Sequence, residues 1–343
     1  VVERGRMTPE VSSVSDDDVV IHVGAEVRHV TDLAPDTEYD LDGVTVRTLP
    51  RMGELLCRFA TVNDVHFGET EAGVLDDVDD IEICRSEPGQ DPYPEIMNRG
   101  AIAAISAIDP AVVVAKGDLT ACGTIYEWQA FLDHDRPAFG DRLRFVRGNH
   151  DAYRGETHGD TGPFAIDLPG VTLAVIDTVI PRRTTGQITA DTFAWLDGLL
   201  ADTDGPVLVF GHHQNWMPGG NRNPTYFGIN PDDSEALLEL TARRPNLRGY
   251  FAGHTHRNRV RRDSSTGDVP FVEVASVKDF PGSWAEYRVF DGGILQVHRR
   301  ISDPESLAWS EKTRVLYRPL LDYVEYALGS LADRCFAIPA TAP

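Results

Sequence analysis

Five apolar runs in this chain end in side chains that a buried strand does not need. LLCRFATVND leads to Asp64 and then His66, AVVVAKGD to Asp118, LRFVRGNHD to Asn149, His150 and Asp151, PVLVFGHH to His212 and His213, and LRGYFAGHTH to His254 and His256. Taken singly, each is a polar strand end, and a lone Asp after a strand is usually a cap or a turn. Taken together they point to one site, because in open α/β sheets ligands bind at the carboxyl ends of the strands.

The residue types say what chemistry such a site does. Carboxylate, imidazole and amide oxygen suit manganese, iron or zinc, whereas calcium and magnesium sites are ordinarily all oxygen. Four of these histidines with two of the aspartates and the asparagine already exceed the needs of one ion and suit two. A carboxylate bridges a pair of cations with its two oxygens, and Asp118 is the candidate bridge. Two ions ~3.5–4 Å apart hold a hydroxide between them and bind the attacking and leaving oxygens of an in-line displacement at phosphorus.

Elements of a definite kind must position these groups. The five runs, together with VTLAVIDT and PFVEVASV, alternate with the helical stretches PEIMNRGAIAAISAID, TIYEWQAFLDHD, ADTFAWLDGLLAD and NPDDSEALLELTARR. Ala101, Ile105 and Ile108 fall at helical spacing and face a sheet. The alternation predicts an α/β fold with a largely buried, mixed sheet. Before it, residues 1–54 read as short β segments between acidic turns, a small β-rich accessory module in which Tyr39 packs. Residues 55–302 form the main domain and 303–343 a C-terminal extension, with a helix around YRPLLDYVEYALGSLADRCF before AIPATAP. The leucine and tyrosine stripe of that helix packs on the domain or on a second subunit, so a homodimer is one expectation. The acidic stretch 76–80 opens a long loop.

Composition narrows the partners. The chain has 343 residues, 41% hydrophobic and 8% aromatic, an ordinary globular make-up. Lys+Arg 32 against Asp+Glu 54 leaves a net charge of −22, which weighs against long nucleic acids and anionic membranes. It allows a small anionic substrate, since bound cations reverse the local field. Cys57, Cys84, Cys122 and Cys335 are scattered without CxxC spacing, so a reducing, cytoplasmic setting is expected. VVERGRMTPE lacks the apolar stretch of a secretory signal, residues 1–6 could be sequence upstream of a start at Met7, and no run is long and apolar enough for a membrane span.

In this order, each after its own strand, DVH, GD, GNHD, GHH and GHTH resemble the calcineurin-like metallophosphoesterases, whose pattern runs DxH, GD, GNH(D/E), H, GHxH. The resemblance covers about residues 58 to 260. It implies a four-layer α/β/β/α sandwich with two divalent transition-metal ions at the strand ends. One ion would be held by Asp64, His66, Asp118 and His256, the other by Asp118, Asn149, His212 and His254. His150 would then lie near the leaving group, steadying the phosphate or protonating the departing oxygen, with Asp151 orienting its imidazole. The stretches around GDLTACG and GHTHR are similar to the bacterial class III cyclic nucleotide phosphodiesterases, which implies a small phosphodiester substrate, cyclic nucleotides included.

Rival readings share the same residues. A phosphomonoesterase or nuclease would use the same site, and a non-catalytic scaffold would be expected to have lost ligands, of which none is missing. His213 is a further candidate for touching substrate. Cys122 reads as a small loop residue, Arg257, Arg259, Arg261 and Arg262 as a solvated strand face or a substrate guide, and the insert 76–96 as a shaper of the pocket.

Overall fold

The computed structural model describes residues 9–340 apart from 42, 76, 77, 79 and 216–226. The residues before Met7, most of the acidic stretch 76–80 and the last three residues of AIPATAP therefore lie outside the described residues.

All seven expected strands form, and they divide between two six-stranded sheets. One sheet runs in the order Cys335–Pro339, Gly293–Arg300, Ser283–Phe290, Leu55–Val62, Val113–Lys116, Leu143–Val146. The other runs Arg259–Arg261, Phe271–Glu273, Leu247–Ala252, Val207–Phe210, Val171–Val175, Phe164–Leu168. The strands that end in candidate ligands run parallel to one another within each sheet, so their carboxyl ends share one edge. Val113–Lys116, Val207–Phe210 and Leu247–Ala252 are buried on both faces, the reason they read as apolar runs.

Three apolar layers separate four layers of structure. Between the sheets lie Phe59, Val114, Val146, Leu173, Phe210, Phe251 and Tyr287, with Phe59 stacked on Tyr287 at 4.4 Å. The helices Tyr93–Ser106 and Ile125–Phe139 cover the outer face of the first sheet, and Ala190–Asp202 and Pro231–Arg243 that of the second. Local signals agree with these boundaries. Thr124 and Glu127 close a capping box at one helix start, and the Asn230 side chain accepts from Asp233 N at another, just ahead of Pro231.

Two strands absent from the expected set, Ser283–Phe290 and Gly293–Arg300, lie at the heart of the first sheet. Their charges break the apolar pattern, yet Glu286 and Arg288 are buried and Arg299 is partly so, because the turn between the N-terminal strands Glu10–Val14 and Val19–Val23 brings acids to the arginines. Arg288 pairs with Asp17 at 2.7 Å and Asp18 at 2.9 Å, and Arg299 with Glu286 at 2.7 Å. Val14, Val19, Ile21 and Val46 pack beside this network on Phe290, Leu295 and Val297. The described N-terminal strands are thus fixed to the sheet by a mixed apolar and ionic contact.

The C-terminal region departs from a single helix. It forms Pro304–Lys312, Tyr323–Leu328 and Leu331–Arg334, and then the strand Cys335–Pro339, which pairs with Gly293–Arg300 at the sheet edge. Pro319 and Gly329 interrupt the helical pattern. Tyr323, Ala327 and Leu328 of the apolar stripe are buried in the chain's own core. Among the described residues no helix is long and apolar enough to cross a membrane.

Candidate metal centre

Asp64 and His66 follow Leu55–Val62, Asp118 follows Val113–Lys116 and Asn149 follows Leu143–Val146. From the other sheet, His212 follows Val207–Phe210, and His254 and His256 follow Leu247–Ala252. The site therefore straddles the common edge of both sheets. Asp64, His66, Asp118, His254 and His256 have left-handed backbone, with φ of 53, 54, 50, 68 and 53°. Non-glycine residues held so cost about 1–3 kcal/mol each and gather where surrounding structure over-determines them. Here that structure is a set of loop-to-loop bonds: His66 N donates to Asp118 O at 3.0 Å, Asp64 N to Gly117 O at 3.0 Å and His254 N to Asp64 Oδ2 at 3.1 Å. The loops also pack closely, since a Cβ on Gly117 would lie 2.6 Å from His212 Nδ1 and one on Gly148 2.8 Å from His212 Nε2.

Side chains meet in overlapping groups that also take in His150 and His213. Asp64, His66 and His256 bring one ligand atom each within 4.8 Å of one another, and so do Asp64, Asp118 and His212. Asp118 Oδ2 stands between the groups, 3.7 Å from His66 Nε2 and 3.2 Å from His212 Nε2. Asn149 Oδ1 lies 3.1 Å from His212 Nε2, while its Nδ2 donates to Tyr153 Oη at 2.8 Å, which turns the amide oxygen inward. His254 packs on His212 with ring centroids 5.1 Å apart.

The charge pattern is that of a cation site. Both ring nitrogens of His66 and Nε2 of His254 are buried without a hydrogen-bond partner. Burial, with Lys278 and His150 nearby, pushes His66 well below the ordinary imidazole range, and burial with His213 and His212 does so for His254. Neutral imidazole is the ligating form. Burial alone would raise the Asp118 carboxyl, but His212, His150 and His66 outweigh it and hold it far below the usual range. Burial would likewise lower His212 and His256, yet Asp118 draws the first up to about 9, and Asp64 and Asp279 the second to about 10. Imidazoles and carboxylates thus share one buried centre, and the donor set fits two cations.

The remaining site residues divide. His150 faces the centre, its Nε2 4.0 Å from Asp118 Oδ2, and its Nδ1 meets Ala121 O at 2.7 Å. Asp151 does not orient it. Residues 150–152 form a turn of 3-10 helix, in which neighbouring side chains diverge by roughly 120°. The buried Asp151 carboxylate instead accepts from Thr120 N at 2.8 Å, Thr120 Oγ1 at 2.6 Å, Gly148 N at 2.7 Å and Leu119 N at 3.2 Å. It ties the GD loop to the GNHD loop. His213 is fully buried, bonded to Thr178 Oγ1 at 2.8 Å, and does not line the cleft. Arg257 binds Glu273 at 2.7 Å, Arg261 binds the same carboxylate and Arg262 donates to Asp268 O at 2.7 Å, so these three serve the strand.

A cleft of about 330 Å³ opens over the centre, lined by His150, Tyr153, Phe227, Lys278, Tyr317 and Tyr326 among others. Val74 and Leu75 wall one side, but no described residue of the insert 76–96 reaches it. A larger hollow of about 620 Å³ lies between the N-terminal strands and the helix Tyr93–Ser106, away from every candidate ligand. Lys116 is another residue that strand-end reasoning passes over. Buried beneath the site, it donates to Asn63 Oδ1 at 2.8 Å, and Asn63 Nδ2 in turn donates to Asp64 Oδ2 at 2.5 Å. A lysine inside an apolar run was the signal.

Glycerophosphodiester phosphodiesterase GpdQ of Enterobacter lignolyticus is 32% identical to this chain over 160 residues, covering 43% of this chain and 56% of that protein. The match therefore spans little more than half the relative's length. A dimetal phosphatase from Danio rerio superposes with a TM-score of 0.53 at 15% identity, over 72% of this chain and 97% of the other, a likeness of fold. Residues 57–258, more than half the chain, match the family described as calcineurin-like phosphoesterase. With two sheets meeting at a carboxylate and histidine centre, the chain belongs to the calcineurin-like phosphoesterase family.

Proposed function

We propose that this chain hydrolyses a small phosphodiester with the help of two divalent transition-metal ions, manganese, iron or zinc. Asp64, His66, Asp118 and His256 would hold one, and Asp118, Asn149, His212 and His254 the other. The observation that carries this reading is Asp118 Oδ2, which lies between His66 Nε2 and His212 Nε2, at 3.7 and 3.2 Å. The relative named as a glycerophosphodiester phosphodiesterase supports the choice of diesters.

When bound, such a pair of cations supplies a water activated for attack and neutralises charge on the phosphate. The rest is done by this chain's own residues. Tyr153 keeps the Asn149 oxygen turned inward, and Asp151 locks the two loops whose ends carry Asp118 and Asn149. His150 presents Nε2 at the cleft, where, protonated, it donates to the departing oxygen. Tyr153, Phe227, Tyr317 and Tyr326 line the cleft with ring surface, which suits an alcohol bearing a flat or apolar group. Cyclic nucleotides fall within that class.

The test is a comparison of kcat/KM for small diesters, including 2′,3′- and 3′,5′-cyclic nucleotides, with the matching monoesters on manganese-loaded protein. Faster cleavage of the diesters is expected. A strong monoester preference would make the protein a phosphomonoesterase and leave the metal assignment intact.

A further inference from the structure

Lys278 and Asp279 are consecutive residues in the loop after Phe271–Glu273, and each serves a different histidine of the first metal group. Asp279 Oδ2 lies 3.4 Å from His256 Nδ1, the nitrogen on the far side of the ring from the centre. His256 Nε2 meanwhile faces Asp64 Oδ1 at 3.4 Å. Lys278 Nζ grips Glu69 Oε1 at 2.7 Å, and Glu69 Oε2 stands 3.6 Å from His66 Nδ1.

This loop is held from outside by the C-terminal region. Tyr323 Oη donates to Asp279 Oδ1 at 2.9 Å, and Ser276 Oγ donates to the same oxygen. Trp309 Nε1 donates to Lys278 O at 2.7 Å, and Phe280 N donates to Thr313 Oγ1 at 2.9 Å. Asp279 and Tyr323 are both almost wholly buried. Ser276 and Tyr323 occupy Oδ1 and leave Oδ2 to His256. A carboxylate on the outer nitrogen of a ligating imidazole fixes its tautomer and ring orientation and strengthens it as a donor.

We propose that Asp279 is the positioning residue of His256 and that Tyr323 holds it there, which makes the C-terminal region a working part of the first metal site. The proposal rests on the reading that Asp64, His66, Asp118 and His256 hold a cation.

The experiment is calorimetric titration of chelator-stripped full chain with Mn²⁺, for wild type, Asp279→Asn and Tyr323→Phe, with thermal melting of each stripped protein. Wild type should take up two ions per chain. Asp279→Asn should weaken one of the two by about the 10–100-fold usual for loss of such a partner and leave the other unchanged. Tyr323→Phe, which keeps the ring but removes the O–H, should weaken the same ion by less. Both variants should regain turnover at saturating Mn²⁺ with substrate KM unaltered, and melt with wild type when stripped. Wild-type affinity at both sites in both variants would overturn the proposal and spare the metal reading. Equal weakening of both ions with lower melting of the stripped protein would also overturn it, by showing a merely structural role. Fewer than two ions on wild type would overturn the metal reading itself.

Discussion

His150 Nδ1 donates to the carbonyl oxygen of Ala121 at 2.7 Å. A carbonyl only accepts, so the Nδ1 proton is fixed and Nε2 is the nitrogen offered to the cleft. Among the described residues no other imidazole outside the proposed ligand set lines the cleft, and the proposed mechanism therefore gives His150 the role of proton donor to a poor leaving group. His150→Ala should slow alkyl diesters by about the 10²–10⁴-fold typical of general acid–base catalysis, and nitrophenyl diesters considerably less. Metal content should be unchanged. Parallel loss on both leaving groups would assign the imidazole to phosphate binding instead.

Asp151→Ala should act on stability. Its carboxylate takes four donors from two loops, and buried donors left unpaired cost about 1–3 kcal/mol each. Denaturant unfolding of the metal-free protein should show a loss of several kcal/mol. Unchanged stability with a leaving-group-selective rate loss would return Asp151 to the role of orienting His150.

Asp118→Ala should be more damaging than Asn149→Ala. The first removes a carboxylate facing both histidine groups, the second a side chain proposed to hold one ion. Nearly all activity should go, and the affinity of both ions should fall. An Asp118→Ala protein that binds two ions normally would contradict the bridging role.

Asp135 sits buried between the helices Tyr93–Ser106 and Ile125–Phe139, accepting from Asn98 Nδ2 at 2.6 Å. Burial raises its carboxyl to about 7, against the opposing pull of Asn98 and His134. The folded protein therefore keeps this proton where the unfolded chain has lost it. Its stabilising contribution is full below about pH 4, falls as pH rises towards 7, and is gone above that. Asp135→Asn should accordingly gain melting temperature over wild type as pH rises from 4 to 7, with no further gain above 7. A difference independent of pH would contradict the buried neutral carboxyl.

The candidate ligands were legible because each stands at the end of an apolar run, where a carboxylate or imidazole has no packing role. What supports them was not. Tyr323 was read as part of a packing stripe, and its ring does pack, but its hydroxyl serves Asp279, 44 residues away in sequence. Ser283–Phe290 escaped notice because Glu286 and Arg288 interrupt it, and the acids that neutralise Arg288 come from residues 16–18. Adjacency in sequence suggests that Asp151 serves His150, but a 3-10 turn makes adjacency a poor guide to side-chain contact.

Under the proposed function, two metal ions at the Asp118 centre are required for diester hydrolysis. This requirement is tested most directly by following hydrolysis of bis(4-nitrophenyl) phosphate while chelator-stripped protein is titrated with Mn²⁺ and its ion content is measured. Turnover should be absent without metal, and the rate should reach its plateau at two ions per chain. Full turnover by verified metal-free protein would contradict it.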